Sequence, residues 1–294
     1  MLKSWRKDLN PRPADYKSAA LPTELRQQFE ELRFYVILPR YAIIIAMNSA
    51  GKCMWTNYNG EASPLCAGAV HLWRAKLACA EGELRAHEEI LSSDEIASAH
   101  RLIKKEDQVK SILSKAILRS VLSKYLAISA EKITFSVGEK GKPFIAEGDL
   151  QFNLSHSGEY LLIAVTRENP VGVDIERVRS NKDFLSIAKR FFAPSETAAI
   201  VSAKNSGAAF YRCWTRKEAF IKATGLGLSF PLHDFEVDVS ENPQGDSCLL
   251  SVQADGFFEN DWTLRSIVLS SGVEVDYVAA FAVRGVVDQI LYFS

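Results

Sequence analysis

The chain is short of cysteine, of net charge and of long apolar runs. Its 294 residues hold five cysteines, Cys53, Cys66, Cys79, Cys213 and Cys248, an odd number with no Cys-x-x-Cys pair. That spacing argues against a disulfide framework and a thiolate zinc site, and it makes a reducing cytoplasm the expected compartment. The formal net charge is −1, which argues against a general nucleic-acid binder. The most apolar stretch, Phe34 to Met47, is broken by Pro39-Arg40. It is too short to cross a bilayer and too far from the start for an ordinary signal peptide. What remains is a composition with 47% hydrophobic residues, enough for one large domain or two small ones.

Periodicity is missing from residues 5–26, WRKDLNPRPADYKSAALPTELR, which carry three prolines. Composition alone reads this as a disordered tail. The genetic code supports a sharper reading. Asp8-Leu9-Asn10-Pro11 and Leu21-Pro22-Thr23-Glu24-Leu25 are what the reverse complements of a tRNA T arm and D arm encode, in that order. Residues 1–53 are therefore expected to be a non-native or disordered extension, with the native start at Met47 or Met54. Sequencing the N-terminus of protein from its own host checks this.

From residue 68 onward the patterns are regular. Strand alternation runs through 68–75, and a cap signal at Ser92 or Ser93 precedes acidic residues. A long amphipathic helix is expected over Asp107–Leu126, and strand-like runs over 132–137, 151–154, 160–166 and 171–175. Helices are expected at 184–192, 195–202 and 208–224, the last closed by Gly225, followed by strands near 235–239, 248–253, 262–267 and 277–283. The order gives two α+β halves meeting near Arg167–Pro170.

Three stretches are candidates for chemistry. In Val171-Gly172-Val173-Asp174-Ile175-Glu176, strand alternation projects Asp174 and Glu176 from one face. Paired carboxylates repel unless a cation sits between them or one is protonated, and an isolated pair of this kind is as often simply solvated. Hard oxygen ligands suit Mg²⁺, which completes its shell with waters and substrate phosphates. On the helix, Trp214, Glu218 and Lys222 are spaced by four and share a face. Glu218 supplies a third carboxylate, and Lys217 and Lys222 supply positive charge for phosphate oxygens. The polar island Asn153-Leu154-Ser155-His156-Ser157-Gly158 is a poor nucleophilic pair, because neighbours in a strand point apart. Its hydroxyls and imidazole suit a phosphate, or a turn.

GKP (141–143), FNLSHSG (152–158), GVDIE (172–176), RFFAPSE (190–196) and WTRKEAFIKATGLGL (214–228), in this order and spacing, resemble the Sfp-type 4′-phosphopantetheinyl transferases. The resemblance covers roughly residues 68–294. It implies a pseudodimer of two similar α+β halves, 68–167 and 168–294, the second carrying the Mg²⁺ motifs, with coenzyme A in the cleft between them. The implied reaction moves the phosphopantetheine arm of coenzyme A onto a serine of an apo acyl, polyketide or peptidyl carrier protein, releasing 3′,5′-ADP. By resemblance, Asp174, Glu176 and Glu218 hold Mg²⁺, and Lys222 meets the attacked phosphate. Ser155 and His156 lie on the 3′-phosphate and adenosine side, and Lys142 lies near the nucleotide. The base for the carrier serine is Glu218 or a metal-bound water. Lys110 stands where the family often has an Arg, keeping the charge without the bidentate fork. Glu95 and Ser98 stand where relatives have basic residues. A chain of this length is expected to build the cleft as a monomer.

Other functions fit less well. A Mg²⁺-dependent nuclease needs a lysine two residues beyond the second carboxylate, where Val178 stands. A non-catalytic carrier-binding relative has no use for an intact set of Asp174, Glu176, Glu218 and Lys222.

Overall fold

The computed structural model describes Trp55, residues 64–80, 82–179, 183–241, 247–269 and 277–294, and the backbone of two short strands, β1 (Phe34–Val36) and β2 (Ile44–Met47). Most of the extension expected over residues 1–53 lies outside the described residues.

The first half begins with β3 (Ala69–Lys76), a short helix α1 (Leu84–Glu88), then α2 (Ser93–His100) and α3 (Lys105–Leu126). Ser92 caps α2 in a capping box with Glu95, as the cap signal predicts. A small hairpin, β4 (Ser136–Val137) and β5 (Pro143–Phe144), leads to β6 (Leu150–Ser157) and β7 (Tyr160–Arg167). The second half contains β8 (Val171–Arg177), α4 (Phe184–Phe191), α5 (Pro194–Ser202) and the long α6 (Ser206–Thr224). It continues with β9 (Phe235–Val237), β10 (Leu249–Val252), β11 (Trp262–Ser266), β12 (Tyr277–Arg284) and β13 (Gln289–Phe293).

Two sheets organise the molecule. The first has the order β1-β2-β13-β3-β7-β6, and the second β11-β12-β8. They pack face to face through Val70, Leu72, Leu162 and Ala164 from one and Val171, Val173, Ile175 and Phe281 from the other, all fully or nearly fully buried. Strand alternation turns the remaining faces outward, and each takes one long helix. α3 covers the first sheet, with Leu113, Val121 and Leu122 packed among Trp73, Leu161 and Ile163. α6 covers the second, with Phe220 packed among Phe235, Leu264 and Ala280. Each half is thus a sheet backed by a long helix, the α+β pseudodimer arrangement expected from the sequence.

Three expectations need correction. The strand at 151–154 continues as β6 to Ser157, because the polar residues of that stretch face a neighbouring strand rather than a turn. In the run 132–137 only Ser136–Val137 is strand; a 3-10 turn, Ala130–Lys132, ends where the run begins, and 133–135 has no regular structure. The sequence reading contained no β13, yet this strand pairs in parallel with β3 from Gln289↔Ala69 to Phe293↔Trp73. The end of the chain therefore returns to the sheet of the first half.

Candidate active site

The site lies where α6 crosses β8, and a glycine sets how closely they approach. A Cβ on Gly172 would fall on the backbone oxygen of Ala219 and the amide of Ala223, and within 2.9 Å of the Lys222 carbonyl carbon. With no Cβ, the helix backbone rests directly on the strand. Asparagine 205 caps the start of α6, its side chain accepting from Ala208 N, and Gly225 at φ +74 closes the end. Trp214 braces the helix against Phe192 and Phe210.

β8 is the edge of its sheet, and its open side is satisfied by side chains from β6. Val173 N donates to Asn153 Oδ1 at 2.9 Å, and Arg177 N donates to Ser157 Oγ at 3.1 Å. The same alternation brings hydroxyls onto the carboxylates. Ser155 Oγ donates to Asp174 Oδ1 at 2.7 Å, and Ser157 Oγ donates to Glu176 Oε2 at 2.8 Å. Asn153, Ser155 and Ser157 form a polar ladder along a strand edge. Only the period-two spacing in the sequence hinted at it.

Lys222 Nζ completes this cluster, 2.7 Å from Asp174 Oδ1 and 3.1 Å from Ser155 Oγ. Asp174 is buried, and its second oxygen, Oδ2, has no hydrogen-bond partner among the described residues. Burial holds the Asp174 carboxyl above the usual aspartate range even against the Lys222 ammonium. Glu218 is one helical turn before Lys222, and its carboxyl is also held high, first by burial and then by the charge of Asp174, with Glu176 adding to it. The three carboxylates therefore feel one another. Among the described residues no three His, Cys, Asp or Glu side chains are close enough to cage a metal. The donor chemistry still suits Mg²⁺, which takes few protein carboxylates, and Asp174 Oδ2 is a buried carboxylate oxygen with no hydrogen-bond partner among the described residues.

The other expected site residues divide. Strand alternation separates His156 from Ser155: Ser155 joins the carboxylates rather than the nucleotide side, and His156 is exposed on the opposite face of β6. Its imidazole is held below the usual range, by partial enclosure and by the ammonium groups of Lys222 and Lys110. Lys110 pairs with Glu106 at 2.7 Å along α3. Lys142 is not free for a nucleotide: its Nζ donates to Val171 O at 2.9 Å and to Lys222 O at 2.7 Å. Burial lowers its pKa to about 8. Glu95, which departs from the family pattern, pairs with buried Arg119 at 2.8 Å while capping α2, so its role is structural.

Lys217 does not reach the site. Its next-door position on α6 turns it into the core, where it is fully buried and pairs with Glu196 at 2.8 Å. It also donates to Leu232 O at 2.7 Å and Phe235 O at 2.6 Å, leaving no donor for a phosphate. Glu196 in turn accepts from Ala193 N and Val237 N, so the pair fastens α5, α6 and β9 together. Replacing Lys217 by methionine is expected to cost about 3–5 kcal/mol in urea unfolding, because Glu196 is left buried and unpaired. Unchanged stability with weakened phosphate binding would reverse this assignment.

Cys66, Cys79, Cys213 and Cys248 are free thiols, and burial raises the pKa of Cys213 well above the ordinary range, so it is a core residue. Among the described residues no helix is long and apolar enough to cross a membrane.

Comparison with known proteins adds an independent line. Residues 170–282 match the family model described as the 4′-phosphopantetheinyl transferase superfamily. Residues 76–168 match that described as 4′-phosphopantetheinyl transferase, N-terminal. The chain is 36% identical over 227 residues to the 4′-phosphopantetheinyl transferase HetI of a Nostoc species, covering 75% of this chain and 90% of that protein. It is 36% identical over 157 residues to the 4′-phosphopantetheinyl transferase Sfp of Bacillus subtilis, covering 52% of this chain and 69% of that protein. It is 31% identical over 198 residues to the L-aminoadipate-semialdehyde dehydrogenase-phosphopantetheinyl transferase of Mus musculus, covering 60% and 62% respectively.

Proposed function

The chain belongs to the Sfp-type 4′-phosphopantetheinyl transferases, and from that membership we propose that it moves the phosphopantetheine arm of coenzyme A onto a serine of an apo carrier protein. 3′,5′-ADP leaves, and the reaction requires Mg²⁺. The observation that carries this reading is the orphaned, buried Asp174 Oδ2 beside Glu176, Glu218 and Lys222.

Asp174, Glu176 and Glu218 would hold Mg²⁺ together with waters and pyrophosphate oxygens, and the ion would neutralise charge developing on the phosphates. Ser155 and Ser157 donate to the first two carboxylates, and Lys222, whose ammonium lies 2.7 Å from Asp174 Oδ1, would meet the attacked phosphate. Glu218 or a metal-bound water would accept the proton of the carrier serine. His156, on the other side of β6, and Lys110 would face the coenzyme. The coenzyme would lie in the cleft between residues 68–167 and 168–294, so a single chain is the catalytic unit. The carrier would be an acyl, polyketide or peptidyl carrier presenting an acidic helix.

The test is to incubate the protein with coenzyme A, Mg²⁺ and each class of apo carrier, and to weigh the products. A mass gain of one phosphopantetheine group that needs Mg²⁺ and maps to a serine is expected for at least one class. Binding of the carrier without transfer would contradict the reading.

A further inference from the structure

We propose that Lys142 is a positioning residue, whose ammonium clamps the first residue of β8 to the last turn of α6 and so fixes the spacing of the two elements that carry the carboxylates. Its two acceptors are Val171 O, three residues before Asp174, and Lys222 O. The carbonyl of Lys222 lies in the last turn of α6, where backbone oxygens lack helical partners and a cation is favoured.

Lys222 is therefore held at both ends. Its backbone oxygen accepts from Lys142, while its side chain reaches Asp174. The clamp comes from the other half of the molecule, from the turn between β4 and β5. That turn is set by Gly141 at φ +84 and by the bond from Gly138 N to Lys142 O at 2.9 Å. Two of its three donors are thus taken by backbone carbonyls.

A positioning role and a coenzyme-binding role separate in steady-state kinetics. The inference rests on the transferase reading, so wild-type transfer onto an apo carrier is measured first. If no carrier is modified, that reading fails; if wild type is active, the variants judge Lys142 alone. Lys142→Met is expected to lower kcat about tenfold or more, because Lys222 and Glu218 lose their register against β8. The KM for coenzyme A should stay within about twofold, as expected when only transition-state alignment is lost. Lys142→Arg, which keeps the charge and can fork onto two carbonyls, is expected to recover most of kcat. Should Lys142→Met fail to fold, Lys142→Gln, which keeps two N–H donors without the charge, is expected to show the same split at smaller size. A raised KM with kcat preserved in either variant, or no kinetic change at all, would overturn the proposal.

Discussion

Replacing Glu218 by glutamine should cut phosphopantetheine transfer sharply and raise the melting temperature of the metal-free protein. The two effects have one cause. The Glu218 carboxylate is disfavoured by burial, and then by the nearby charge of Asp174. A carboxyl with a raised folded pKa holds its proton more tightly in the folded than in the unfolded chain. Its contribution to stability is complete below the unfolded value, about pH 4.3. That contribution is lost as pH rises through the folded value. Glutamine abolishes this loss. In EDTA, the gain in melting temperature over wild type should be smallest near pH 4, widen as pH rises, and level off once Glu218 is ionised. Transfer should fall about 10²-fold or more, the usual scale for losing a positioned acid–base group. Scanning calorimetry across that pH range checks the first part, and carrier labelling checks the second. A variant that melts lower than wild type at pH 7, or that retains full activity, would sink the assignment.

Gly172→Ala should damage both fold and function, for a reason unrelated to backbone freedom. The added methyl would meet the backbone of Ala219, Ala223 and Lys222, and backbone has no rotamer to turn aside. The helix must lift from β8. Such overpacking costs about 1–3 kcal/mol. The larger effect falls on catalysis, because Glu218 and Lys222 ride on the displaced helix while Asp174 and Glu176 stay on the strand. A shift of about an ångström at a reacting centre can cost on the order of 10²-fold in rate. Urea unfolding and kcat/KM measured on the same preparation test this. A variant with wild-type stability and wild-type kcat/KM would show that the close approach does not set the site.

The central elements were legible because each rests on a simple period. Strand alternation placed Asp174 and Glu176 on one face, and a spacing of four placed Glu218 and Lys222 on another. Neither period gives the distance between strand and helix, which Gly172 sets through a contact remote in sequence. Lys217 was misplaced because its neighbour Glu218 faces the site, whereas its burial depends on Glu196, an acceptor twenty-one positions earlier in the chain. Lys142 was misplaced because its acceptors are backbone carbonyls, which no side-chain pattern records. Ser157 read as a turn residue and Ser155 as a phosphate contact, because polarity alone does not show a strand edge; Ser157 instead accepts from Arg177 N on the open side of β8, and Ser155 donates to Asp174. β13 went unseen because Gln289–Phe293 is short, and its partner β3 lies at the other end of the described chain.

The most direct test of the carboxylate cluster is electron paramagnetic resonance of Mn²⁺ titrated into the protein in the presence of coenzyme A. The expected result is one tightly bound ion per chain, magnetically coupled to phosphorus, and its loss in Asp174→Asn. An Asp174→Asn protein that remains folded and binds Mn²⁺ at the same phosphorus-coupled site as wild type would contradict the account.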